Sequence, residues 1–408
     1  MSENTLLRVM YCEGWDAERR AIAGRLATAT ARERDQRGEQ YAFCVVEPDT
    51  ERIGKVVEIA WQHHFARCWS LDEQGRRNRM VEYRNLDGRL FRLRSAEWTY
   101  PDDECPEFDE NRCDLIRTTH APDGKTRHLE RTNGESDVRN AKEDPAGLFG
   151  EAPRFGDWAG VIEAGPGVEL VAADPDVEES ATPPWRPVVP MRPDQADSYF
   201  QPGQRWTLRR RNSNPVVVTE VVPAGTVRTP SGRLVAADPS LLHDGLSGFE
   251  ATVAPGEYPV ELAMIRFVED PSHERVAAAK LTVSSQPVVS WEHAAEPGED
   301  PRLLDDDKYY GFVVDTGQAC FADAEARDDL SDIVNTALDD PDSPICAVWG
   351  AKAAELADPE SGGSLVAFSS GWGDGMYPTW LGRTATGEVA CFVTDLLILR
   401  EASLTNDT

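Results

Sequence analysis

Five aspartates in the second half of the chain lie in small-residue loops that directly follow apolar runs typical of strands. Carboxylates gathered at converging strand ends can raise one another's pKa for acid–base work, or bind Mg²⁺ or Ca²⁺ through oxygen. Alternatively, each aspartate caps its own turn by accepting a hydrogen bond from a backbone N–H two residues on. The pattern leaves both roles open for the set, which is Asp238, Asp315, Asp323, Asp374 and Asp395.

The run of glycines around Trp372 is the most informative stretch, because it places one carboxylate and two aromatic rings in a loop of small residues. Glycine reaches positive φ angles freely, so a backbone or a small ligand can approach such a loop closely. An ordinary hairpin turn has the same requirement. Trp372 and Tyr377 supply contact area and Asp374 supplies charge. We expect this loop to form one surface site together with Asp238 and Asp315.

Eight cysteines are scattered along the chain without a Cys-x-x-Cys pair, and the histidines do not cluster with them at zinc spacing. Cys320 has the chemistry of a nucleophile, but no histidine lies near it in sequence, so we interpret it as a buried structural thiol. Residues 1–10 carry no long apolar segment followed by a small-residue cleavage site. These features predict reduced, mostly buried thiols in a cytoplasmic protein.

The 408-residue chain has a formal net charge of −30, from 72 acidic and 42 basic side chains. This excess argues against direct nucleic-acid binding, which needs a basic footprint, and it permits steering toward a basic protein partner. High solubility without any partner is the alternative interpretation. We expect the basic cluster Arg209-Arg210-Arg211 to form intramolecular ion pairs. No apolar run reaches the ~18 residues of a membrane helix, so no membrane partner is expected.

Hydrophobic periodicity predicts strands and about one main helix on each side of a proline-rich stretch. In the first half, the helix is expected at residues 16–37, with Asp16 as its N-cap, and an antiparallel meander follows from Tyr41. The second half repeats the strand patterns around a helix at residues 323–338. The predicted fold class is therefore α+β, with two β-rich domains of mainly antiparallel sheets.

The clearest linker surrounds the segment Pro183-Pro184-Trp185-Arg186-Pro187, which is semi-rigid and polyproline-like. We predict an N-terminal α+β domain at residues 1–165, a proline-rich linker at 166–205 and a C-terminal β-rich domain at 206–408. Because strand patterns recur on both sides of the linker, we expect two separable domains, and the length of the chain allows each its own core.

Several loops of the second half share their order and spacing with a known family. These segments are residues 231–239 (SGRLVAADP), 255–260 (PGEYPV), 274–277 (ERVA), 314–317 (VDTG), 321–323 (FAD), 371–378 (GWGDGMYP) and 393–395 (VTD). On these segments, residues 227–399 resemble the bacterial domain of unknown function 4241 family. The resemblance brings no settled activity; it implies a domain of this type and draws attention to its loops. The first 165 residues resemble an uncharacterised accessory domain of actinobacterial proteins.

Two functions remain in view for this acidic chain. The first is a cytoplasmic protein-binding module, of the immunity, antitoxin or defence-associated kind, because no phosphate-binding loop, serine elbow or kinase signature is present. The second is a metal-assisted hydrolase that uses Asp238, Asp315 and Asp374. Those three carboxylates would have to lie within ~5 Å of one point to share a metal. Whether the protein is an enzyme, and whether it needs a cofactor, is left open.

Overall fold

The structure, a computed structural model, describes residues 5–47, 50–193, 195–211, 213–243, 245–350 and 352–405. The chain divides into two compact units, Met1–Val189 and Pro190–Thr408. We name these the N-terminal and C-terminal units. That they are separable domains, joined within residues 166–205, stays a prediction.

The predicted α+β class is wrong. Strands account for 44% of the chain and helices for 11%, with three helices in the described part, so the architecture is all-β-like. One of these helices, α2 at Ala196–Tyr199, is a single turn. Helix-like spacing in the sequence was overridden by strand pairing, because tertiary packing outweighs weak local propensity.

The N-terminal unit is built on one 12-stranded sheet. The order along it is β10-β9-β8-β7-β6-β5-β4-β3-β1-β12, with β2 beside β1 and β11 beside β7. Most neighbours are antiparallel hairpin partners, whereas β1 and β12 pair in parallel. The elements are β1 Thr5–Asp16, β2 Ala21–Arg25, α1 Thr28–Arg37, β3 Tyr41–Val46, β4 Ile53–Ala60, β5 Phe65–Leu71, β6 Arg77–Leu86, β7 Arg89–Thr99, β8 Asp114–His120, β9 Lys125–Thr132, β10 Glu135–Lys142, β11 Phe149–Glu151 and β12 Val168–Ala172.

The helix expected at residues 16–37 begins only at Thr28. Asp16 is the last residue of β1, and its carboxylate accepts hydrogen bonds from the backbone N–H groups of Glu18 and Arg19 at 3.1 and 2.9 Å. This aspartate turn reverses the chain into β2, which pairs with β1. The predicted N-cap therefore caps a hairpin turn, and the helix that follows is shorter by three turns.

The polar stretch that follows β8 forms two strands that the sequence did not predict. Asn133 and Gly134, with φ angles of 51° and 82°, make the turn between β9 and β10. Every residue of β10 is exposed, so no apolar alternation marks it as a strand. Asn-Gly is a strong hairpin signal in its own right.

The C-terminal unit contains an eight-stranded, a four-stranded and a two-stranded sheet. Their orders are β18-β24-β25-β17-β16-β14-β13-β26, β15-β20-β22-β21 and β19-β23. The elements are α2 Ala196–Tyr199, β13 Arg205–Thr207, β14 Val216–Thr229, β15 Leu234–Ala237, β16 Gly256–Phe267, β17 Glu274–Thr282, β18 Ser290–His293, β19 Phe312–Val314, β20 Gln318–Asp323, α3 Arg327–Leu338, β21 Ala354–Ala357, β22 Ser364–Ser369, β23 Gly375–Tyr377, β24 Thr379–Arg383, β25 Val389–Asp395 and β26 Ser403–Leu404.

A continuous apolar core joins the sheets of the C-terminal unit, and it includes Phe321, Phe368 and Phe392, all fully buried. The helix predicted at residues 323–338 is present as α3, but it begins at Arg327. Asp323 instead ends β20, because β20 pairs with β15 through that residue. Within the described residues, no helix has the length and apolar content to cross a membrane.

Candidate functional site

Asp238 follows β15 and is fully buried. Its carboxylate accepts the backbone N–H groups of Asp315 and Thr316, both at 2.9 Å, and the Thr316 hydroxyl at 2.8 Å. It also accepts the backbone N–H of Ser240 at 2.9 Å. Both oxygens are therefore occupied, and a buried aspartate fixes the position of the loop at residues 315–317.

Asp323 and Asp395 are also buried, and each organises the chain around itself. The Asp323 carboxylate accepts hydrogen bonds from the side chains of Thr229 and Ser231 at 2.7 and 2.9 Å. It further accepts the backbone N–H of Ala326 at 3.1 Å, directly before α3. The Asp395 carboxylate accepts the backbone N–H of Leu397 at 2.8 Å.

Burial raises the pKa of Asp395 to about 6, and hydrogen bonds and the nearby Arg400 charge only partly oppose this rise. A carboxyl with such a pKa is a proton carrier near neutral pH in many active sites. Here it lies within the core and bonds to its own following turn. We therefore assign it to the stability of the fold.

The two-stranded sheet β19–β23 positions the remaining predicted residues. Val314 pairs with Gly375, so Asp315 and Asp374, each one residue further, leave the same end of this ladder. Both aspartates are exposed. Tyr377 is buried, and its hydroxyl donates a hydrogen bond to the Gly373 carbonyl at 2.8 Å. This bond holds the glycine loop against the buried tyrosine ring.

A hydrogen bond joins the glycine loop to the loop that Asp238 holds: the backbone N–H of Ser370 donates to the Gly317 carbonyl at 3.0 Å. Within the glycine loop itself, the Ser370 hydroxyl donates to the Gly373 carbonyl at 2.8 Å. Asp238, Asp315, Asp374 and Tyr377 thus belong to one loop assembly. Asp323 lies at the other end of β20, roughly 16 Å along the strand.

The arrangement offers no metal centre in the part of the chain that the structure describes. There, no group of three His, Cys, Asp or Glu side chains is placed to hold a metal ion. Asp238 is buried with its oxygens occupied, whereas Asp315 and Asp374 are exposed. Cys320 is fully buried and burial raises its pKa far above that of an ordinary thiol, which suits a structural thiol.

Trp372 belongs to a layered surface of aromatic rings and guanidinium groups. The Arg210 guanidinium lies 4.6 Å from the Trp372 ring centre, and the Arg275 guanidinium lies 5.2 Å from the ring centres of both Trp372 and Trp349. The two indoles remain 48% and 63% exposed, respectively. We call Trp349, Arg275, Trp372 and Arg210 the Trp–Arg stack.

A groove of about 260 Å³ adjoins the stack on the Trp372 side. We call it the Trp372 groove. Arg400, on its wall, pairs with Asp307, and Glu401 contributes one carboxylate. Arg209 and Arg210 also line the groove. Its apolar lining consists of Leu208, Trp372, Leu397, Ile398 and Ala402.

In the part of the chain that the structure describes, the expected intramolecular ion pairs of the arginine cluster are not formed. Arg209, Arg210 and Arg211 are exposed, and among the described residues none of the three has a carboxylate partner. Arg210 instead stacks on Trp372 and, at 5.3 Å, on Phe267.

Sequence reasoning identified Trp372 but missed its partners. Arg275 lies in a strand, and Trp349 follows a helix by eleven residues, so no spacing connects them. The available signal was the three consecutive arginines, which we interpreted as ion-paired. Only the fold shows that β13, β17 and the glycine loop meet at this surface.

A family model described as "Protein of unknown function (DUF4241)" matches residues 227–394. This match confirms the resemblance predicted for the C-terminal half, and it covers the glycine loop and the loop held by Asp238. No curated protein and no solved structure matches the chain. The predicted resemblance of the N-terminal half stays a prediction.

Proposed function

We propose that the C-terminal unit is a protein-binding module, and that its Trp372 groove takes a partner segment with a carboxylate beside an apolar side chain. One observation carries the proposal. Arg209 and Arg210 have no carboxylate partner among the described residues, yet they lie beside a half-exposed indole in a chain of 72 acidic side chains. A guanidinium group without a carboxylate partner within the described chain is available to bind a carboxylate of another molecule.

The composition of the surface supports recognition of a protein. Tryptophan and arginine dominate the energetic centres of protein interfaces. A guanidinium stacked on a ring keeps its N–H edge directed outward, where it can bind a carboxylate through two hydrogen bonds. Because Arg210 and Arg275 are already ordered against Trp372, less conformational entropy is lost when a partner binds.

The net charge of −30 further restricts the class of partner that this surface can bind. At physiological ionic strength, charges are screened beyond about 8 Å, so the arginines determine the attraction inside the groove. At longer range the whole acidic chain repels polyanions such as nucleic acids. The favoured occupant is therefore a peptide segment with few carboxylates and an apolar side chain that covers the indole.

The β19–β23 ribbon extends the proposed surface with a different chemistry. Val313 pairs with Met376, and both side chains are exposed, at 58% and 44%. Asp315 and Asp374 leave the ribbon at one end. We propose that this ribbon contacts a basic side chain of the same partner through its two exposed carboxylates.

The narrower prediction of an immunity, antitoxin or defence-associated role stays a prediction. The alternative, a metal-assisted hydrolase, is not supported by the buried position and full hydrogen bonding of Asp238. We therefore propose no catalytic step.

The test is calorimetric titration of the full chain with the synthetic peptide acetyl-Leu-Glu-Leu-Glu-Leu-amide. We expect saturable binding, and about tenfold or greater weakening when both glutamates are replaced by glutamine, since a charge-assisted hydrogen bond contributes about 1.5–3 kcal/mol. The variants Arg210→Gln and Trp372→Ala should weaken binding similarly. Arg139→Gln, an exposed arginine of the N-terminal unit, is the matched control. Equal affinity for the two peptides, or undiminished binding by Arg210→Gln, would refute the proposal.

A further inference from the structure

Two cysteines of the N-terminal unit meet beneath the long loop that connects β7 to β8. Cys105 lies within this loop and Cys113 directly precedes β8. Their sulfur atoms are 3.6 Å apart, and both side chains are buried. Among eight scattered cysteines, these two are separated by only eight positions.

The loop itself is firmly held, so the two sulfurs stay together. Arg76 is buried and donates to the carbonyls of Asp102 and Cys105 at 2.8 and 3.1 Å. The backbone N–H of Cys113 donates to the Asp109 carbonyl at 2.9 Å. A disulfide requires the sulfurs to approach from 3.6 Å to about 2.05 Å.

The surroundings of this pair differ from those of a second close pair. Cys12 and Cys44 lie 4.0 Å apart, but they belong to the adjacent, hydrogen-bonded strands β1 and β3 and are fully buried. Cys105 and Cys113, in contrast, lie in a connection whose neighbouring residues Glu104, Pro106 and Arg112 are exposed. A small oxidant reaches Cys105 and Cys113 by a local opening of one loop, whereas access to Cys12 and Cys44 requires separation of paired strands.

We propose that Cys105 and Cys113 are a dithiol modification site that forms a reversible disulfide with a hydroperoxide as oxidant. One thiol loses its proton, and its sulfur attacks a peroxide oxygen; the O–O bond breaks, one water leaves and a sulfenic acid remains. The second sulfur attacks the sulfenic sulfur, the S–S bond forms and a second water leaves. The two thiols thus lose two electrons and two protons, which reduce one hydrogen peroxide to two waters. A dithiol reductant reverses the change.

Both thiols of the site are free in the structure. Burial, together with the contact to Cys105, raises the pKa of Cys113 to about 11, so this thiol keeps its proton at neutral pH. The modification would close a loop that the hydrogen bonds of Arg76 already hold in shape.

The tryptic map of the full chain tests this directly, because Arg112 lies between the two cysteines. Cleavage after Arg94, Arg112 and Arg117 releases Cys105 in peptide 95–112 and Cys113 in peptide 113–117. The folded chain is treated with hydrogen peroxide, its remaining thiols are alkylated at acidic pH, and the digest is analysed by mass spectrometry without reduction. We expect the two peptides to be joined, and to separate after dithiothreitol.

The chain supplies its own control, since Cys12 and Cys44 leave in peptides 9–19 and 38–52. These should remain separate and alkylated. In Cys105→Ser, peptide 113–117 should also be recovered alone. The proposal is overturned if peptides 95–112 and 113–117 appear separately after peroxide treatment of the wild-type chain, whether as free thiols or as sulfinic acids. It is also overturned if the Cys12–Cys44 pair is oxidised first.

Discussion

Asp238 shows how a residue type associated with catalysis can serve the fold. Its buried carboxylate accepts four donors from two loops, and in doing so it positions the exposed residue Asp315. The same pattern, an aspartate directly after an apolar run, therefore supplies a buried hydrogen-bond acceptor at Asp238 and a surface carboxylate at Asp315. The sequence marked both aspartates, but only burial distinguishes their roles.

Replacement of Asp238 by alanine should destabilise the protein, because several backbone N–H groups would lose their acceptor. An orphaned donor costs about 1–3 kcal/mol, so we expect a loss of roughly 3 kcal/mol in the free energy of unfolding. Urea denaturation followed by tryptophan fluorescence measures this loss. A variant as stable as the wild type would show that solvent replaces the carboxylate.

Asp374→Ala is the matched exposed substitution. Its free energy of unfolding should stay within about 0.5 kcal/mol of the wild-type value, as for surface residues in general. If the ribbon contacts a basic side chain, this variant should weaken binding of acetyl-Leu-Glu-Leu-Gly-Gly-Lys-amide and leave the peptide without lysine unaffected. Loss of several kcal/mol of stability with intact binding would make Asp374 a turn-former.

Asp395 predicts a pH dependence with a defined sign. Its pKa is raised to about 6 in the folded state, above about 3.9 in the unfolded chain, so its stabilising contribution exists below pH 4 and is lost as the pH rises through 6. Asp395→Asn should therefore gain stability relative to the wild type between pH 4 and pH 6, by up to about 3 kcal/mol.

The comparison must use the variant, because His293 acts in the opposite direction. Burial lowers its pKa to about 4, so the folded state loses stability as the pH falls from 6.5 toward 4. The two effects offset each other in the wild-type curve. A difference curve that is flat between pH 4 and pH 6 would contradict the assignment of Asp395.

At the scale of elements, apolar residues mark several strands in the sequence. β15 is continuously apolar, and β5 is mostly apolar. The helix before β3 was misread because Asp16 is as good a turn residue as an N-cap. β10 was not predicted because a strand that is exposed on both faces has no alternation of apolar and polar residues in its sequence.

The start of α3 depends on one side chain of the preceding strand. Asp323 accepts the backbone N–H groups of Glu325 and Ala326 at 2.9 and 3.1 Å, where the helix has no intrahelical acceptor. Asp323→Ala should therefore lower the protection of the first turn of α3 against hydrogen exchange, and cost about 2 kcal/mol overall. Asp328→Ala, within the same turn, is the control. Equal exchange in both variants would mean that packing alone defines the start of the helix.

At the scale of the whole molecule, the candidate surface was only partly predictable. The glycine loop and its tryptophan were found from composition, whereas Arg210 and Arg275 come from positions 162 and 97 residues earlier in the chain. Long-range strand pairing, which places β13 and β17 in the same sheet, brings these arginines close to Trp372. No local sequence pattern predicts such a long-range contact.

The division into two units predicts the outcome of limited proteolysis. Residues 166–205 contain the proline-rich segment, and each unit has its own apolar core. A protease at low concentration should cut within this stretch, between the end of strand β12 and the start of strand β13, and leave two protected fragments. Resistance of the whole chain, or a first cut inside a sheet, would contradict the separability of the units.

The turn at Asn133 and Gly134 has a practical consequence. A side-chain carbon built at Gly134 would meet no atom within 4 Å, and the strand that follows is exposed along its whole length. Extra residues placed there would extend outward from the rim of the sheet and leave its core undisturbed. The protein thus carries a natural point of attachment for a reporter domain, far in sequence from the groove whose occupant is to be found.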